Sequence, residues 1–246
     1  MLYPFELKLG KKAALPDART LKLENYLAPS LPSPPNQIDW TRGVKVWPFL
    51  LNDNLGDCTI AAALHAVQIW MLPGKTPYHP ADSVALNYYE KWDGYVNGDP
   101  NTDNGGYELT VLNSWRQQKL DSHVLWGYAD PQPQNVLHVK QSVAFFGGVY
   151  IGLQLPVSAQ AQVGTIWDVV PNSGGIWGGH AVYVPAYNSI GPICITWNQV
   201  QPMTWRFWNQ YCDESHCLLG NAWVPPIGQD PILQDKFRAD LQLVTG

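Results

Sequence analysis

The apolar residues of this chain change their period near Asp130-Pro131-Gln132-Pro133, and that change decides the class of fold it can adopt. Before the break they recur at helical spacing: Ile60, Ala63, Leu64, Val67 and Met71 predict a helix over 59–72, stopped at Pro73-Gly74. Two more helices are expected over 81–92 and 107–118, with the breaker run from Asn97 to Gly106 between them as loop. After the break, one helix over 136–146 gives way to short runs rich in Val, Ile and aromatic residues over 149–155, 181–187 and 193–197. Helices first and strands later predict an α+β fold with segregated lobes. The expected division is an arm over 1–37, a helical lobe over 38–130, a β-rich lobe over 131–224, and a tail over 225–246 with a weakly helical ending.

Composition narrows the class further. Only 14% of residues are charged, 46% are hydrophobic, and twelve Trp stand beside twelve Tyr, a mix that excludes an intrinsically disordered chain. Fifteen basic against twenty acidic residues leave a net charge of −5, which argues against a nucleic-acid partner. No stretch approaches the roughly 18 apolar residues of a membrane span. The first residues carry neither the basic nor the apolar region of a secretory signal, so an intracellular, reducing location is expected. Cys58, Cys194, Cys212 and Cys217 are too few and too unevenly spaced for a disulfide framework or a zinc template. Cys212 and Cys217 flank His216 and could hold a metal or close a small loop; two thiols in a surface hairpin, with no metal, is the expectation.

One segment concentrates chemistry. In Asn52-Asp53-Asn54-Leu55-Gly56-Asp57-Cys58-Thr59, Asp57 is a good N-cap, which places Cys58 in the first turn of the following helix. There the partial positive charge of the helix start lowers a thiol's pKa and favours the nucleophilic thiolate. The alternative is a small buried hydrophobe, a common fate of free cysteine. A nucleophilic thiol needs a base, and His180 stands at the mouth of a strand in Gly178-Gly179-His180-Ala181-Val182. His65 lies two turns along the helix from Cys58, out of its reach, and reads as a core or groove residue. His79, His123, His138 and His216 sit in ordinary contexts.

Taken in order, Asp39-Trp40, Gly56-Asp57-Cys58, Asp103-Asn104-Gly105-Gly106, Gly179-His180-Ala181-Val182 and Thr196-Trp197-Asn198 resemble the motifs of papain-like cysteine peptidases. His180 and Asn198 follow Cys58 near the roughly 130–150 residues expected there. The resemblance covers about 38–210 and is nearest to papain-like proteins of bacteria and their phages. It implies a two-lobed fold with the cysteine helix in one lobe and a β-rich second lobe. It also implies Cys58 as nucleophile, His180 as general base and then acid, Asn198 as orienter of the imidazole, and a peptide or protein substrate without a cofactor. Asn52 falls where the family carries its oxyanion-hole glutamine, with Asn54 as a substitute and the Cys58 N–H contributing; Gly105 and Gly106 match the backbone that pairs with extended substrate.

Two departures stand out. The family's Cys-Gly-Ser/Ala-Cys-Trp becomes Leu55-Gly56-Asp57-Cys58-Thr59, without the disulfide-forming cysteine, and 37 residues of arm cannot build the family's globular prosegment. The arm, basic over 8–12 and Pro-rich over 29–35, is therefore expected to be a permanent strap. Leu7, Leu9, Leu21, Leu23, Tyr26 and Leu27 would anchor it away from Cys58. Three functions fit the constellation: a hydrolase of peptide or isopeptide bonds, a Cys-dependent acyltransferase of the transglutaminase or arylamine acetyltransferase kind, and a non-catalytic binding or structural protein on the same fold.

Overall fold

The computed structural model describes residues 7–44, 46–72, 77–228 and 230–245. Its centre is α1 (Cys58–Met71), in which every residue up to Trp70 is buried. The helical spacing seen in the sequence is real, but the helix is enclosed on all sides rather than on one face. Ala61, Ala62, Ala63 and Ala66 let neighbours approach closely, while Ile60, Leu64, Val67 and Ile69 each gain about 1.5–3 kcal/mol on full burial. The Pro73-Gly74 stop lies outside the described residues; Leu72 is the C-cap.

Against α1 lie α2 (Asp82–Tyr88), extended by a wide turn over Tyr89–Asp93, and α3 (Glu108–Gln117). The other wall is an antiparallel sheet built from β1 (Ile38–Asp39), β2 (Leu125–Ala129), β3 (Val149–Pro156), β4 (Ile176–Tyr187), β5 (Pro192–Thr196), β6 (Gln199–Pro202) and β7 (Cys212–Gly220). The strands run in the order β2-β7-β3-β4-β5-β6, with β1 paired to β4. Strand alternation divides the core in two. Tyr150, Ala181, Tyr183 and Leu218 join the cluster around α1, whereas Ile151, Leu153, Val182 and Val184 face a second cluster with Trp167, Phe207 and Trp208. The helix α4 (Val136–Phe146) starts at the side-chain cap of Asn135 and stops at left-handed Gly147.

Several elements depart from the sequence reading. The strand β2 lies inside the stretch expected to be helical. The helix α5 (Trp205–Tyr211) and β7 carry no apolar alternation that would announce them. Cys212 and Cys217 are buried in β7 rather than placed in a surface hairpin, because β7 is a central strand between β2 and β3.

The arm divides into two parts. Leu23 and Tyr26 are buried with Ile232 and with Phe237 of α6 (Gln234–Thr245), and Tyr26 donates its hydroxyl to Asp240 at 3.0 Å. That part is a strap, as expected. Residues 8–12 are not: they run through the cleft in front of Cys58, which overturns the expectation that the arm avoids the thiol.

Candidate active site

The approach to Cys58 is strained. Leu50 and Leu51 both hold left-handed backbone, with φ of 57° and 71°, a conformation that bulky residues adopt only when the surroundings impose it. The turn they open returns the chain so that the Asp57 carbonyl accepts from Ile60 and Ala61 and starts α1 at Cys58. The Asp57 side chain does not cap the helix. Both its oxygens are buried without a hydrogen-bond partner, and burial raises its pKa well above the usual carboxylate value. Asp103 braces the turn by accepting from the Gly56 N–H at 2.9 Å and the Tyr89 hydroxyl at 2.6 Å. Asn52 is buried beneath it and donates to the Leu55 carbonyl at 3.0 Å, while Asn54 is exposed.

Across the cleft, β4 brings its backbone to the thiol: the Ala181 N–H donates to Cys58 Sγ at 3.4 Å. The preceding residue, His180, is buried with its ring stacked on Trp197 at 4.7 Å and an interplanar angle of 20°. His180 Nε2 lies 2.6 Å from Thr196 Oγ1, and Nδ1 has no hydrogen-bond partner. The residue that holds the imidazole is therefore Thr196. Thr196 pairs with Gln199, leaving Trp197 and Asn198 as a two-residue turn; Trp197 takes φ of 50° to lay its indole over the imidazole, and Asn198 is exposed. Two residues apart in sequence, Thr196 and Asn198 end up inside and outside the site because the strand ends between them.

The remaining wall is Gly105-Gly106. Tyr89 accepts the Gly105 N–H at 2.9 Å, and a side chain on Gly106 would collide with the Asp93 carboxylate. Bare backbone here receives a peptide, and the peptide present is the arm. The Gly106 N–H donates to the Gly10 carbonyl at 2.8 Å, Lys12 N–H to the Gly106 carbonyl at 2.9 Å, and Lys11 N–H to the Gly179 carbonyl at 3.0 Å. Trp197 Nε1 donates to the Lys8 carbonyl at 3.3 Å, and Leu9 packs on Gly178. Gly10 crosses directly over the Cys58 turn, where a Cβ would lie 1.7 Å from the Gly56 carbonyl oxygen. The arm segment runs parallel to Gly106 in this pairing. Its charge pattern was legible in the sequence, but nothing there paired it with the cleft.

With the arm in place the thiol is fully buried. Burial pushes the Cys58 pKa up to about 12, although the N–H groups of Ala181 and Gly10 pull toward the thiolate. Burial also pushes His180 down to about 3. With the arm closed, burial thus favours the neutral form of each group. The side chain of Lys11 leaves the cleft for a pocket walled by Asp213, Glu214, Glu108 and His216. Its ammonium lies 3.0 Å from Asp213 Oδ2 and 2.8 Å from Glu214 Oε1. Glu108, Glu214 and His216 lie close enough together to share a cation, and His216 is no ordinary surface residue.

A helix opening at a cysteine, a histidine-bearing antiparallel sheet facing it, and a diglycine wall together define the papain-like cysteine peptidase fold. Xylellain, a cysteine protease from Xylella fastidiosa, superimposes with a TM-score of 0.67 at 15% identity, covering 89% of this chain and 98% of its own. The digestive procathepsin L 3 of Tenebrio molitor larval midgut gives 0.52 at 13% identity, covering 81% of this chain and 76% of its own. Neither a protein-family model nor a curated relative matches the sequence.

Proposed function

We propose that the protein is a latent cysteine hydrolase of peptide or isopeptide bonds, with Cys58 as nucleophile and His180 as its base, closed by its own residues 8–12. The observation that carries this reading is the arm itself. Its backbone is hydrogen-bonded to Gly106 and Gly179 on either side of Cys58, so the cleft accommodates an extended peptide over a thiol at a helix start.

In the open state, water enters, the burial penalty on both groups falls, and the proton of Cys58 passes to His180. The thiolate adds to the substrate carbonyl carbon while the Cys58 N–H takes the developing oxyanion; the Asn52 amide, spent on the Leu55 carbonyl, braces the turn that presents this N–H. Collapse expels the amine, which leaves with the proton from His180, and a thioester remains on Cys58. Water, deprotonated by His180, then adds to the thioester; the acid product departs and the proton returns to Cys58. Thr196, with Trp197 stacked behind the ring, takes the orienting part that the resemblance gave to Asn198. The residues from Ala13 to Arg19 are mostly exposed and connect the blocking segment to the strap, so a cut there frees the cleft without disturbing Leu23 and Tyr26.

The test is to fold the full chain with a site-specific protease sequence in place of residues 13–18, cut it, and present a mixed peptide library. Cleavage that appears on cutting and vanishes in Cys58→Ser supports the hydrolase. A cut chain that releases its segment, labels at Cys58 and cleaves nothing would favour a non-catalytic peptide binder, the reading suggested by Thr196 standing where an amide orienter was expected.

A further inference from the structure

We infer that the pocket occupied by Lys11 is the specificity pocket of this cleft, and that it selects peptides presenting a lysine side chain beside the diglycine wall. The inference rests on the reading of the cleft as a peptide-binding site and names the class of peptide it takes.

Three features point to a long primary amine. First, the pocket gathers three carboxylic acids and a histidine: Glu108 and His216 are buried, Glu214 is nearly so, and Asp213 closes the pocket at its solvent edge. Asp213 and Glu214 sit at ion-pair distance from the ammonium, and both oxygens of the fully buried Glu108 have no hydrogen-bond partner. A pocket so lined is costly to leave without a cation. Second, space has been cleared for the stem. Gly152 lies in the middle of β3, where glycine weakens a strand, and a Cβ there would lie 1.9 Å from Lys11 Cε. Third, the electrostatics are tuned to a cation. Burial alone would depress the Lys11 ammonium, yet Glu108, Glu214 and Asp213 outweigh it and raise its pKa above the usual lysine value. Burial works against Glu214 ionising too, but His216 and Lys11 prevail and hold its pKa below the ordinary glutamate value.

The position of the pocket makes it selective. Lys11 lies between the Gly10 carbonyl and the Lys12 N–H that pair with Gly106, so the backbone is held by contacts any peptide can make while one side chain is read. A fully buried ammonium is read strictly, because an apolar stem of the same length leaves the largely buried Glu214 facing no cation; Asp213 keeps solvent and the Gln154 amide. Arginine brings a wider, planar head into a space shaped around a four-carbon stem, so lysine ranks above arginine, and both above methionine or leucine.

A binding competition tests the pocket without requiring catalysis. The folded chain is cut within residues 13–18 and mixed with an excess of two synthetic peptides of residues 7–13, one native and one carrying Lys11→Met. Occupancy is read by native mass spectrometry, which reports the ratio whether the original segment leaves unaided or is displaced. The native peptide should win by about 30-fold or more. In a chain carrying Asp213→Asn and Glu214→Gln the ratio should fall below about threefold, with circular dichroism confirming the fold. Equal occupancy in the unmodified chain, or a preference that survives the two substitutions, overturns the inference. Turnover is scored separately on substrates with and without lysine. A lysine preference in binding with no cleavage of any peptide would leave the pocket standing and remove the hydrolase reading.

Discussion

Replacing Gly10 with alanine should unlock Cys58 while leaving the body folded. The new Cβ would lie 1.7 Å from the Gly56 carbonyl oxygen, 2.3 Å from its carbon and 2.6 Å from its Cα. These are backbone atoms, and the Gly56 N–H is itself tied to Asp103, so no rotamer change relieves the clash. The arm must lift by more than an ångström. That breaks the hydrogen bonds joining Gly10 to Gly106, Lys11 to Gly179 and Lys12 to Gly106, each contributing about 0.5–1.5 kcal/mol net. The loss of about 2–4 kcal/mol shifts the closed-to-open equilibrium by roughly 30- to 1,000-fold, at 1.4 kcal/mol per factor of ten. Alkylation of Cys58 by iodoacetamide, followed by peptide mapping, should accelerate by that factor. Leu15→Ala, an exposed arm position beyond the cleft, should not change it. The melting temperature should move little, because the strap residues Leu23 and Tyr26 remain buried against α6. A Gly10→Ala chain whose Cys58 reacts no faster than the native one would refute the reasoning that this segment closes the site.

Other outcomes follow from the same geometry. Once the arm is cut, Thr196→Val should lower kcat by about 10²-fold with little change in KM, whereas Asn198→Ala, at an exposed turn, should leave both near their native values. Buried His65 accepts no proton until about pH 4, held down by burial despite its contact with the Pro48 carbonyl, while the unfolded chain binds one near pH 6.5. The unfolded state therefore binds more protons between those values, and stability rises with pH across that window. Urea unfolding from pH 4 to 7 should show this rise, and His65→Gln should flatten it; an unchanged slope would mean that His65 is protonated in the folded protein.

Much of the fold could be read from residue order because the period change near residue 130 separates α1–α3 from most of the sheet. The helix α4 was expected with the bounds it has, and α1 within a residue, since glycine, proline or a capping asparagine marks their ends. The strand β7 was hidden because its sequence, Cys-Asp-Glu-Ser-His-Cys, gathers polar side chains around Lys11 and so lacks the apolar alternation that announces a strand. The pocket and the arm conceal each other: each looks like a solvated charged stretch until the other is placed against it. Cys58 and His180 stood out as candidates by their glycine-flanked settings. Thr196 was not, because its side chain became the partner of His180 only through the end of β5 and the turn at Trp197, a detail of backbone geometry that spacing does not encode.

The most direct test of the central claim is labelling by a peptidyl electrophile carrying lysine at the pocket position, applied before and after cutting within residues 13–18 and read by intact mass and peptide mapping. One adduct per chain is expected, on Cys58, formed rapidly only after the cut and lost in His180→Ala. Cys194, Cys212 and Cys217, buried within the sheet, should remain unmodified. Labelling spread over the four thiols, or a Cys58 that stays inert once residues 8–12 have left the cleft, would contradict it.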